Sequence, residues 1–177
     1  MIKISRRNLL RKIPVISISS LLFAVSITGR AEAQVSLTAA AKANMIIVWK
    51  SKRRMGLFFN RKLIKLYRIR LGFNPIGHKQ KEGDGKTPEG RYFITHHNPN
   101  SAYHKSLGLS YPNKDDKMEA KKRKESPGKD IFIHGGPKNV FLHFFKDWTN
   151  GCIAVLDNEI EEIYKLVPDG TVVYIYS

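Results

Sequence analysis

Residues 131–155 read IFIHGGPKNVFLHFFKDWTNGCIAV. A short apolar run, Ile131-Phe132-Ile133, leads into His134 and a Gly135-Gly136 pair, so the imidazole projects from the end of a buried strand. Downstream, Thr149-Asn150-Gly151-Cys152 runs into Ile153-Ala154-Val155, a second strand-like segment. A cysteine nucleophile needs a nearby base, because the thiolate attacks and a free thiol has a pKa of ~8.5. It also needs N–H donors for the oxyanion of a tetrahedral intermediate. Gly151 lets the backbone approach a carbonyl closely, and His134 can serve as the base. A lone cysteine beside apolar residues equally reads as a small buried hydrophobe. From the residues alone both readings stand. His143, in a Phe-rich stretch, is a rival base that reads better as a packing residue.

The flanks read as one β-rich mixed α+β domain. Met45 to Lys50 is a compact apolar strand. Leu57-Phe58-Phe59 and Leu63 to Leu71 favour strands through length and β-branched or aromatic content. The stretch from Gly77 to Gly90 is a loop containing Gly83-Asp84-Gly85-Lys86-Thr87-Pro88-Glu89-Gly90, dense in turn residues, and Arg91 to His97 returns to a strand. Residues 98–130 are polar and interrupted by prolines, with a short basic helix over Asp115 to Lys124. Ile160, Ile163, Tyr164 and Val167 form one helical face, capped by Asp157 or by Asn158 paired with Glu161. Thr171 to Tyr176 is the last strand. About 135 residues of this kind can bury a core of their own.

The N-terminal residues 1–33 are set aside from the fold. Lys3, Arg6, Arg7, Arg11 and Lys12 precede an uncharged, largely apolar run from Ile13 to Gly29, and Ala31-Glu32-Ala33 fits a cleavage site before Gln34. This is the pattern of an export signal, and Ser5-Arg6-Arg7-Asn8-Leu9-Leu10 resembles a twin-arginine signal. The expected organisation is a signal over 1–33, an Ala-rich linker over 34–44 and the domain over 45–177. The expected location is the periplasm or cell envelope, with membrane contact only transient, through the signal.

Charge and cysteine usage narrow the classes further. The chain has 177 residues and a formal net charge of +16. Without residues 1–33 it keeps 25 Lys and Arg against 14 Asp and Glu, a net +11. After export, nucleic acid is excluded as a partner, and an anionic wall polymer or membrane surface fits better. One cysteine rules out an internal disulfide and a multi-cysteine metal site. The six histidines have no zinc-like spacing. Gly85-Lys86-Thr87 lacks the glycine a P-loop needs five residues earlier, where Gln80 stands.

His134, fourteen intervening residues and Thr149-Asn150-Gly151-Cys152 resemble the signature of the L,D-transpeptidase catalytic domain, the YkuD family. Its upstream loop is matched by Gly77-His78-Lys79 and by Gly83 to Tyr92. Many members have His where this chain has Asn150, and Arg or Asn where it has Ala154. The Gly-Cys-Ile-Ala-Val form, Ser110-Tyr111-Pro112-Asn113 and Ser126-Pro127-Gly128 are more similar to a YafK-like subgroup. The resemblance implies a curled or sandwiched β-sheet with a few short helices. It implies an acyltransferase without metal or cofactor, acting on peptidoglycan stem peptides. In that reading Cys152 is the nucleophile and His134 the proton donor and acceptor, with the Gly135 carbonyl orienting the ring. Backbone groups at Asn150, Gly151 and Cys152 hold the oxyanion, Thr149 shapes the pocket, and Tyr111 lines a lid over the donor stem. The acceptor is an amine of a second stem or of an envelope lipoprotein. A hydrolase of the same thioester chemistry and a non-catalytic basic envelope-binding protein are the alternatives.

Overall fold

The computed structural model describes residues 42–137 and 139–177; the expected signal and most of the expected linker lie outside them. Among the described residues, eight strands form one mixed sheet in the order β3-β2-β1-β8-β4-β5-β6-β7. They are β1 Met45–Trp49, β2 Arg54–Phe59, β3 Lys62–Arg68, β4 Gly90–Ser101, β5 His104–Leu109, β6 Phe132–His134, β7 Ile153–Ala154 and β8 Val172–Tyr176. Three helices, α1 Lys114–Lys122, α2 Val140–Phe145 and α3 Asp157–Leu166, complete the fold.

The long strand β4 bends the sheet. Gly90 to Phe93 pair with β8, and from Ile94 onward the strand pairs with β5 across register shifts at Ile94/His96 and Asn98/Ser101. Bulges of this kind increase local twist and bend a strand. The sheet curls until its edges meet. Beyond β3, Arg70 and Ala154 exchange both backbone bonds at 2.8 Å, and the Thr149 N–H reaches the Leu71 carbonyl at 3.1 Å. Closure removes the free edge on that side and encloses a core of Ile46, Val48, Met55, Leu57, Val173 and Ile175, each at most 1% exposed.

Three details differ from the sequence reading. Ala43 and Asn44, expected in the linker, are fixed to the fold: the Ala43 N–H bonds the Leu166 carbonyl and the Asn44 N–H the Phe58 carbonyl. The polar segment 98–130 contributes β5, an inner strand held between β4 and β6. The start of α3 is Leu156, whose N–H is accepted by Glu159 at 2.8 Å. Asp157 instead accepts the Gly136 N–H at 2.7 Å, tying the helix start to the turn after His134.

The turn-rich loop over residues 77–90 is pressed backbone to backbone on the segment that carries Cys152. A Cβ at Gly72 would collide with the Gly85 carbonyl, and the Gly72 N–H donates to Thr87 Oγ1 at 3.0 Å. Within the loop, burial raises the Asp84 carboxyl. Lys79 Nζ and the N–H groups of Gln80, Lys86 and Lys81 outweigh it and hold the pKa at about 2. Buried Lys50 Nζ bonds the carbonyls of Gly77 and Thr87 at 2.6 and 2.8 Å. Gly72→Ala is expected to destabilise by roughly 3 kcal/mol, because neither backbone can yield without breaking these bonds. Chemical denaturation measures it; a loss below about 1 kcal/mol would show that the loop packs loosely.

Candidate active site

His134 ends β6 and Cys152 immediately precedes β7. These strands are parallel, with Ile133 opposite Ile153 and His134 opposite Ala154. Residues two apart on a strand share a face, so Cys152 lies on the face of His134, diagonal to it. Both line one cavity of about 230 Å³, together with Tyr103, Ser106, Asp130 and Phe132. Cys152 also borders a second cavity of about 400 Å³, walled by Lys79, Glu82, Lys129 and Asn150. The partly exposed thiol therefore stands where two cavities adjoin. Another cavity, about 790 Å³ and lined by His78, Glu89, Arg91, Asp115, Asp116 and Glu119 among others, includes neither His134 nor Cys152.

The imidazole is held on three sides. His134 is 3% exposed, and its Nδ1 is 2.6 Å from the Gly135 carbonyl. A carbonyl only accepts, so Nδ1 carries the proton and Nε2 keeps its lone pair. Tyr103 stacks on the ring at 4.6 Å and 25°, and Trp148 meets it edge-on at 5.7 Å. Burial pushes the His134 pKa below its ordinary 6.5, against the opposing bond to Gly135. Burial pushes the Cys152 thiol above its ordinary 9.0; the Phe132 backbone and the Lys79 charge oppose this, and Asp130 adds to it. The thiol lies 3.6 Å from the Asp130 carbonyl, which accepts from it. Both shifts favour the neutral forms, thiol and imidazole, over an ion pair.

The turn before Cys152 is built for close approach. Thr149 Oγ1 donates to the Cys152 carbonyl at 2.7 Å and accepts the Gly151 N–H at 3.1 Å. Gly151 has φ +131, and a Cβ there would stand 2.7 Å from the Lys86 carbonyl. With the Gly151 amide bound to Thr149, the Asn150 and Cys152 amides have no protein partner among the described residues.

Cys152, His134, Gly135, Thr149, Asn150 and Gly151 are thus brought together. Tyr111 is not with them. It is 6% exposed, its ring packs 6.0 Å from that of Tyr92, and its hydroxyl donates to the Pro127 carbonyl at 2.7 Å. It belongs to the core and lines neither cavity beside Cys152, which corrects its expected place in a lid. His143 is 1% exposed on α2, away from both cavities. Sequence reasoning missed Tyr103, Trp148 and Asp130, and gave Lys79 no role. Tyr103 lies at the tip of the β4–β5 hairpin, in a segment read as loop, and nothing local marks it. Among the described residues no group of three or more His, Cys, Asp or Glu is placed to hold a metal ion.

The YkuD family model, described as the L,D-transpeptidase catalytic domain, matches residues 43–175. YafK of Escherichia coli (strain K12) is 26% identical over 166 residues, covering 90% of this chain and 61% of YafK. The chain thus spans about three fifths of the curated relatives it matches. Among solved structures, the helical cell shape determining protein Pgp2 of Campylobacter jejuni aligns with a TM-score of 0.60 at 26% identity, over 77% of this chain and 48% of Pgp2. An L,D-transpeptidase from Mycobacterium smegmatis shares the fold with a TM-score of 0.53 at 11% identity, over 76% of this chain and 59% of its own.

Proposed function

The chain belongs to the YkuD family of L,D-transpeptidase catalytic domains, and on that premise we propose that it is an exported thiol acyltransferase of the cell wall. Its donor is a peptidoglycan tetrapeptide stem, cut between the diamino acid and the terminal D-alanine. The observation that carries this reading is the diagonal placement of Cys152 and His134 on one face of β6 and β7, lining one cavity.

The chemistry follows from the protonation states. As the Cys152 sulfur bonds the donor carbonyl, its proton passes to His134 Nε2, whose lone pair is free because Nδ1 donates to Gly135. The oxyanion forms beside the turn, where the Asn150 and Cys152 amides supply donors. Gly151 serves by its missing side chain and by its bond to Thr149, not by donating its own N–H. His134 returns the proton to the departing D-alanine amine, leaving a thioester on Cys152. An acceptor amine then attacks, loses its proton to His134, and the thiol is restored. The imidazolium exists only during turnover, when the tetrahedral anion beside it offsets the cost of burial.

Transfer is favoured over hydrolysis by the second cavity. With room on both sides of the sulfur, donor and acceptor chains can be held at once. Exposed Lys129 beside that space suits a carboxylate of a stem peptide, whereas Lys79 is already engaged by Asp84. Muropeptide profiling of purified wall incubated with the protein tests the proposal. New 3–3 linked dimers are the expected result. Shortened stems or released lipoprotein without new dimers would replace transfer by hydrolysis, and an unchanged profile would overturn the reading.

A further inference from the structure

We propose that the outer face of the strands β3-β2-β1-β8-β4 is a docking face for an anionic phospholipid surface. A sheet with one face on a core and one in water alternates apolar and polar residues. These strands do not. β1 reads MIIVW and β8 reads VVYIY, apolar on both faces. The inward set, Ile46, Val48, Val173 and Ile175, fills the core. The outward set follows from the pairing, which puts Ile47 opposite Gly56 and Tyr174, and Trp49 opposite Arg54 and Tyr176.

That outward face is both apolar and cationic. Leu63 and Leu66 of β3 are 50% and 53% exposed, Tyr176 is 51% and Phe93 is 38%. Trp49 packs edge-on against Phe58. Arg54, Arg68 and Arg91 are exposed on the same face, Arg91 with its guanidinium 4.8 Å from the centroid of the Phe93 ring. The five strands contain no Asp or Glu. Arg91 and Phe93, at the β4 edge, border the acidic cavity of Glu89, Asp115, Asp116 and Glu119. Away from that edge, the apolar centre with Arg54 and Arg68 complements phosphate headgroups lying over acyl chains, with Trp and Tyr at the boundary between them.

Two other occupants fit less well. An anionic sugar polymer would meet the arginines and aromatic rings but gives Ile47, Leu63 and Leu66 nothing apolar to bury against. A two-fold dimer through the centre of this face would bring Arg54 and Arg68 of both copies into one interface. Among the described residues no helix is long and apolar enough to cross a membrane, so the contact proposed is peripheral.

The test uses the full chain and vesicles of phosphatidylcholine alone or mixed equally with phosphatidylglycerol. Residues 13–29 carry their own apolar run, so the readout must come from the face itself. Of the two tryptophans only Trp49 belongs to it, and Trp49→Phe isolates its signal. Brominated acyl chains are expected to quench Trp49 on the anionic vesicles and not on the neutral ones. Neutralising Arg54 and Arg68 to Gln is expected to weaken partitioning by roughly fivefold per residue. Leu63→Asp with Leu66→Asp, which alters only exposed side chains, is expected to abolish the quenching while the melting temperature holds. The proposal is overturned if Trp49 stays unquenched, if both sets of variants bind like wild type, or if sedimentation finds the face closed in a dimer.

Discussion

Replacing Cys152 by serine is expected to lower acyl transfer by at least about 10⁴-fold while leaving the fold intact. The alcohol is a far weaker nucleophile and leaving group than the thiol, and His134 cannot compensate. The side chain is partly exposed and contacts a carbonyl rather than the core, so stability should change by less than about 1 kcal/mol. Transfer assays and thermal denaturation on the same preparation separate the two effects. Residual activity above about one per cent would put the nucleophile elsewhere.

The second large effect is at the base. His134→Asn keeps a donor for the Gly135 carbonyl, where Nδ1 stood, but removes the acceptor at Nε2, and is expected to cost about 10²–10⁴-fold in kcat/KM. The pH dependence gives the sharper reading. In wild type the reactive form pairs a thiol with a neutral imidazole. That form is lost below the pKa of His134, which burial holds under 6.5, and persists until the thiol ionises above 9.0. The wild-type profile should therefore be flat from about pH 6.5 to 9, with its acid limb below 6.5. In the variant only spontaneous ionisation supplies thiolate, so the residual rate should climb with pH throughout that range. A wild-type acid limb near pH 8, or rapid alkylation of Cys152 at pH 6, would indicate a different resting state.

Much of this was legible in the sequence, and what was not has physical reasons. β1 and β8 announce themselves as short, wholly apolar, largely β-branched or aromatic runs, and α3 by the period a one-sided core forces on it. The pairing of His134 with Cys152 was legible through the resemblance to the YkuD signature; from the residues alone a small buried thiol fits as well. β5, with the sequence HKSLGL, has no β-branched residue and no alternation; it is a strand because β4 and β6 flank it. α2 is six residues, too short to show a period. Tyr111 reads in sequence as a lid residue because nothing in its neighbours reveals Tyr92 beneath it. The protonation states were also hidden. A Cys and a His in sequence do not show that Tyr103, Trp148 and Phe132 enclose them, or that burial favours the neutral form of each.

The central claim is that one sulfur carries the acyl group. Intact-mass spectrometry of the protein quenched in acid during turnover of a tetrapeptide stem tests it most directly. The account predicts a mass increase equal to the stem less D-alanine, mapped to Cys152, discharged by an added amine and absent in Cys152→Ala. Turnover with no covalent adduct, or an adduct that survives in Cys152→Ala, would contradict it.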